Sequence, residues 1–163
     1  MIFVTVGTHE QPFNRLVEYM DKWAESHDEK VIMQTGFSTY EPKHCEWSKL
    51  YPFETMKKLV DDARIVVTHG GPSSFIMPLQ VGKVPIVVPR VKELNEHVND
   101  HQLDFAKAVA ERQGNIIVVE NIDELGDVID NYDQKVSALK NELSSNNDRF
   151  CSEFEKLIDN LVK

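Results

Sequence analysis

At 163 residues, with 41% hydrophobic and 28% charged side chains, the chain is one domain, long enough for a core without disulfide or metal staples. Eighteen basic residues against 27 acidic ones give a net charge of −9, which excludes a nucleic-acid backbone as main partner, since that takes clustered Lys and Arg. Cys45 and Cys151 form no CxxC or Cys/His pair and read as free thiols, no apolar run reaches about 18 residues, and no basic leader precedes "IFVTVG", so a soluble, cytoplasmic chain is expected.

"IFVTV" (Ile2–Val6) is a short β-branched run closed by Gly7, as a buried parallel strand is. Phe13, Leu16, Val17 and Met20 then fall at helical spacing. "KVIMQTG" (Lys30–Gly36) predicts a second strand, and Glu46–Lys49 a short third before a loop through Pro52. Met56, Leu59, Val60 and Ala63 predict a helix, followed by the strand "RIVVTH" (Arg64–His69). Pro72–Val81 reads as a helix with proline in its first turn. "VPIVVP" is a strand between prolines, Asn99–Arg112 a helix, "NIIVVE" the last strand, and Ile122–Ile129 a short helix. A helical tail over about 133–163 holds two amphipathic pieces, Gln134–Leu143 and Phe150–Val162, separated by "SSNND".

Strands that are apolar throughout and alternate with helices predict a parallel sheet covered on both faces, a doubly wound α/β domain over residues 1–163. In such folds ligands sit outside the carboxyl ends of the strands. Three of those ends are polar and flexible: "VGTHEQPF" (6–13), "THGGPSS" (68–74) and "PRVKELNEHVNDHQ" (89–102). Glycine permits close backbone approach, and a helix starting just after it offers unpaired N–H groups and positive potential. His69, Gly70, Gly71, Ser73 and Ser74 together suit a diphosphate, although Gly70-Gly71 alone reads equally as a tight strand-to-helix turn. There is no GxGxxG, Walker loop or DxD motif. His97 and His101 stand at i, i+4, but Val98 takes the place of a metalloprotease glutamate and no third ligand is near, so no metal is expected.

In combination, "FVTVGTHEQPFNRL", "VVTHGGPSSF" and "GKVPIVVPRVKELNEHVNDHQ" resemble the C-terminal, nucleotide-sugar-binding half of family 28 glycosyltransferases. More closely, the chain is similar to the small catalytic subunits of two-part bacterial exopolysaccharide and capsule transferases. Their eukaryotic counterpart is the catalytic subunit of the transferase that extends dolichol-diphosphate-GlcNAc. The resemblance runs from Ile2 to about Leu161.

It implies the donor-binding half of a metal-independent, inverting GT-B hexosyltransferase, Rossmann-like, with a UDP-sugar as substrate and no cofactor. The acceptor would be a polyprenyl-diphosphate-linked saccharide, bound by a membrane-anchored partner subunit that completes the enzyme and holds this chain at the inner face of the cell membrane. Donor diphosphate contacts fall on Gly7, Thr8, Gly70, Gly71, Ser73 and Ser74, and His69 would stabilise the leaving diphosphate. Donor-sugar contacts fall on Glu96, Asp100, His101 and Gln102. The general base belongs to the acceptor half in intact relatives; within this chain His9 is the first-loop histidine suited to that task. Where many relatives carry an acidic residue for the ribose, "FIMP" places Met77, which leaves Glu96 as a substitute. The other readings are a non-catalytic module that activates a partner transferase, an epimerase, and a homodimer with vestigial loops. From its composition the last helix is expected to dock on the partner through Phe150, Phe154, Leu157, Ile158 and Leu161.

Overall fold

The computed structural model describes residues 1–143 and 147–162, with side-chain surroundings for 1–139 and 154–161. Six parallel strands form one sheet in the order β3-β2-β1-β4-β5-β6, where β1 is Ile2–Thr5, β2 Val31–Gln34, β3 Glu46–Ser48, β4 Ile65–Thr68, β5 Ile86–Val87 and β6 Ile117–Val118. Ile2 lies level with Val31 on one side and Ile65 on the other. The chain winds outward from β1 in both directions, so the loops after β1 and β4 diverge and leave a crevice between them.

The strands are apolar throughout because both faces are covered. Ile2, Val4 and Val6 point into a cluster with Leu16, Val17 and Met20 of helix α1 (Asn14–Glu25). Phe3, Ile32 and Val66 point the other way, onto Val60 of α2 (Phe53–Asp62). A third cluster joins Phe75 of α3 (Pro72–Gln80) to Ala106 and Val109 of α4 (His101–Gln113).

The last two strands are shorter than "VPIVVP" and "NIIVVE" suggest. Pro85 and Pro89 flank β5 and bring no N–H to the ladder, so pairing stops after two residues. Helix α4 begins at His101 rather than Asn99, because the Asn99 Oδ1 accepts from the His101 N–H (3.0 Å) and the Asp100 carboxylate turns back to the Lys92 N–H (2.9 Å). The stretch read as one helix from Ile122 is a 3-10 turn, Ile122–Glu124, running into α5 (Leu125–Asp130).

The tail holds α6 (Tyr132–Leu143) and α7 (Asn147–Val162), and here an expectation is overturned. Phe154 is buried, its ring 6.0 Å from that of Phe75, and Leu157 and Ile158 pack on the same cluster. These residues cover the chain's own core rather than waiting for a partner. Leu161 stays 56% exposed, and the Phe150 side chain lies outside the described residues. Cys45 is half-buried, with its thiol pushed up to about 12 by burial and the Asp21 carboxylate, as an inert thiol is; the Cys151 side chain is outside the description.

Candidate functional site

His69 ends β4 and is only 7% exposed. Its ring fills the space between two glycines: a Cβ on Gly7 would overlap its Nε2, and one on Gly71 its Cε1. The immediate reason for the bare backbone at "THGG" is therefore this histidine. Gly7 also has φ +75°, a conformation that side chains disfavour. A Cβ on Gly70 would stand 2.8 Å from that of Gln102.

Hydrogen bonds settle the tautomer of His69. The Gly71 N–H donates to Nδ1 (3.1 Å), so the ring proton sits on Nε2, which donates to Ser74 Oγ at 2.9 Å. Gln102 Oε1, 3.3 Å from Nδ1, instead accepts from the N–H groups of Gly70 (3.1 Å) and Arg90 (3.3 Å). Burial first, then the nearby Arg90 charge, holds the His69 pKa down at about 3, so the ring is neutral at physiological pH.

This bonding narrows the anion site expected at the start of α3. The amides of Gly70 and Gly71 are already engaged, Pro72 has no N–H, and that of Ser74 bonds to the Gly71 carbonyl at 3.0 Å. What remains is the Ser73 N–H, the hydroxyls of Ser73 and Ser74, and the positive end of the helix.

These groups line a cavity of about 630 Å³ over the ends of β1 and β4. Gly7, Thr8 and His9 form one wall, His69, Ser73 and Ser74 another, and His97 and Gln102 a third. Its far end is lined by Gln34, Tyr51, Phe53, Met56 and Met77, of which only Met77 was singled out in the sequence. Tyr51 and Phe53 stood in plain view in "LYPF" but were read as loop.

Of the expected sugar-reading residues, Gln102 lines this cavity, whereas Glu96 and Asp100 are committed to other tasks. Glu96 is buried, with both oxygens 3.0 Å from Arg15 nitrogens and Oε1 also accepting from the Val91 N–H. It clamps the 89–96 loop to α1 and is not free to substitute for a ribose-binding acid. Asp100 holds the Lys92 amide, and His101 is exposed on a second cavity.

The most consequential residue that sequence reasoning missed is Arg90. It is wholly buried and donates to the carbonyls of Val6 (2.6 Å), Gln11 (2.6 Å) and Glu96 (2.9 Å), tying the first loop to the third. Burial lowers its pKa to about 10, which leaves it a cation beneath the site. In "VPR" it looked like a polar residue entering a loop; a lone charge directly after a proline-bounded buried strand was the available signal. His9 and His97 stack across the same two loops, centroids 4.4 Å apart and planes 17° apart. Among the described residues no three His, Cys, Asp or Glu converge as metal ligands, and no described helix is long and apolar enough to cross a membrane.

The model of the glycosyltransferase family 28 C-terminal domain matches residues 1–161. Among solved structures, the chain is similar to the glycotransferase of kitacinnamycin, at 20% identity and a TM-score of 0.59 over 95% of this chain and 42% of that one. It is also similar to the glycosyltransferase SnogD from Streptomyces nogalater, at 15% identity and a TM-score of 0.54 over 97% of this chain and 43% of that one. No curated protein matches the chain. The chain thus spans about two fifths of the length of these two, and its Rossmann-like fold is that of one half of a GT-B structure. With fold and family model agreeing over almost every residue, the chain belongs to the glycosyltransferase family 28 C-terminal domain.

Proposed function

We propose that the chain is the donor-binding, catalytic part of an inverting glycosyltransferase that moves a hexose from a UDP-sugar to a polyprenyl-diphosphate-linked saccharide in exopolysaccharide or capsule synthesis. A membrane-anchored partner subunit would bind the acceptor and hold the chain at the inner face of the membrane. The observation that carries the reading is the convergence of Gly7, the His69–Ser74 pair and the start of α3 on one cavity. The partner is suggested by the chain's length, about two fifths of the solved chains it resembles.

In this reading the diphosphate lies against the Ser73 N–H and the two serine hydroxyls. Because Ser74 Oγ accepts from His69 Nε2–H, its own proton is free to point outward, so His69 acts by orienting a donor. The helix end and the buried Arg90 charge then favour the negative leaving group without being desolvated during the reaction. Tyr51 and Phe53 offer an aromatic wall to the base at the far end.

His9 is the candidate base within the chain. The Gln11 amide donates to the Asn95 carbonyl, so its Oε1 faces His9 and accepts from Nε2–H at 2.9 Å. Nδ1 is then the unprotonated nitrogen, as general-base chemistry requires.

UDP titrated into the isolated chain should shift the amides of Thr8, Ser73 and Ser74, with turnover appearing only when the partner is added. Shifts confined to α6 and α7 would reject the site. UDP binding with turnover that survives His69→Ala would favour the module that activates a partner transferase.

A further inference from the structure

A second cavity, of about 610 Å³, lies on the other side of Gln102 and His97, which border both cavities. One part of its lining is flat and apolar: Pro72, Phe105 and Leu161. The remainder is polar and mixed in chemistry: Asn99, His101 and Asp104. Phe105 leans on the buried ring of Phe75 at 5.7 Å, so its position is set by the core. Leu161 arrives on α7, which Phe154 pins to that same ring. Docking of the last helix thus completes the cavity.

An apolar floor facing an amide, an imidazole and a carboxylate is the chemistry that recognises a pyranose, whose C–H face is apolar and whose rim is hydroxyls. From this placement we propose that the second cavity is a hexopyranose subsite, in which Asp104 and His101 read the hydroxyls and Leu161 and Phe105 carry the ring face. Asp100, the acid expected from the sequence to do this, has its carboxylate on the Lys92 N–H, and Asp104 stands one helical turn further along α4. The sugar has two sources: the hexose of the donor, or the terminal unit of the acceptor. The assignment rests on the donor reading only for the first.

Methyl glycosides of glucose, galactose and N-acetylglucosamine, added at millimolar concentration to the full chain, test it through the resonances of Leu161, Phe105 and Asp104. At least one glycoside should shift all three, and Leu161→Trp, which fills the cavity from an exposed position, should abolish that binding while UDP affinity stays within about twofold. Asp104→Asn should change the order of preference among the three sugars, a readout that a purely structural residue would leave alone. Competition between the bound glycoside and the matching UDP-hexose marks the donor as source, and simultaneous binding marks the acceptor. Glycoside binding without UDP binding would reject the proposed donor site and leave this subsite standing. If no glycoside or UDP-hexose disturbs the three residues, or if Leu161→Trp binds as the wild type does, the subsite does not exist.

Discussion

His69 and the His9–His97 pair border one cavity and are built on opposite plans. His69 is sealed between Gly7 and Gly71, with both ring nitrogens hydrogen-bonded within the loop that carries it. His9 and His97 are half-buried, come from loops 7–13 and 91–100, and meet chiefly by stacking. A sealed ring keeps its tautomer whatever the neighbouring loops do. A stacked pair follows its loops, and those are held together from below by Arg90. The difference is between a group fixed by its own segment and a group placed by a distant tether.

Four measurements would break or sharpen that contrast. Arg90→Met should have the largest effect, because it strands the carbonyls of Val6, Gln11 and Glu96 together with the Glu96–Arg15 pair; a loss of about 4 kcal/mol in urea unfolding is expected. Amide exchange should rise in 7–13 and 91–96 before it rises in 69–74. Equal loosening of all three would mean that His69 is not held locally.

Gly7→Ala comes next. It adds left-handed strain to an overlap with His69 and should cost about 3 kcal/mol. Gly82→Ala is its control: φ is +78° there and nothing lies within 4 Å, so strain alone, about 1 kcal/mol, is expected. Equal losses at the two positions would show that the ring does not occupy the space beside Gly7.

Third is acid. The unfolded chain protonates His69 near its ordinary value of 6.5 while the folded chain resists until about 3, so stability is full above 6.5 and falls as the pH drops. About 2 kcal/mol should be gone by pH 5, and His69→Gln should flatten that slope. His97, also lowered by burial, adds a smaller part in the same direction. An unchanged slope in His69→Gln would place the titration elsewhere.

The smallest effect belongs to the stacked pair. A double-mutant cycle of His9→Ala and His97→Ala should give a coupling of only about 1 kcal/mol. A coupling as large as that of the Arg90 tether would mean that the pair itself joins the loops.

The sheet was readable because each strand is an unbroken β-branched run bounded by Gly or Pro, and so were α1 to α4, whose apolar spacing is regular. Strand lengths at β5 and the start of α4 were not, since they depend on proline's missing N–H and on where the Asn99 and Asp100 side chains turn. The site was legible as a set of loops and not as a set of roles. Gly71 and Ser74 were singled out for a diphosphate, and each first serves His69. Glu96 was singled out for a ligand and serves Arg15, a partner 81 residues away that no spacing rule connects to it. Arg90 escaped notice for the same reason: all three of its acceptors are backbone carbonyls, which leave no trace in side-chain sequence.

The two outer strands of the sheet bear on how the protein behaves when concentrated. β3 has three residues and β6 two, and beside β3 the Lys30–Glu46 ion pair is mostly exposed. An edge so short and charged is a poor template for another chain's backbone, so fibril-like stacking through the sheet margins is disfavoured. A dimer of the isolated chain, left open by the sequence, would have to be built from helices or loop faces instead of a continuous sheet across two molecules.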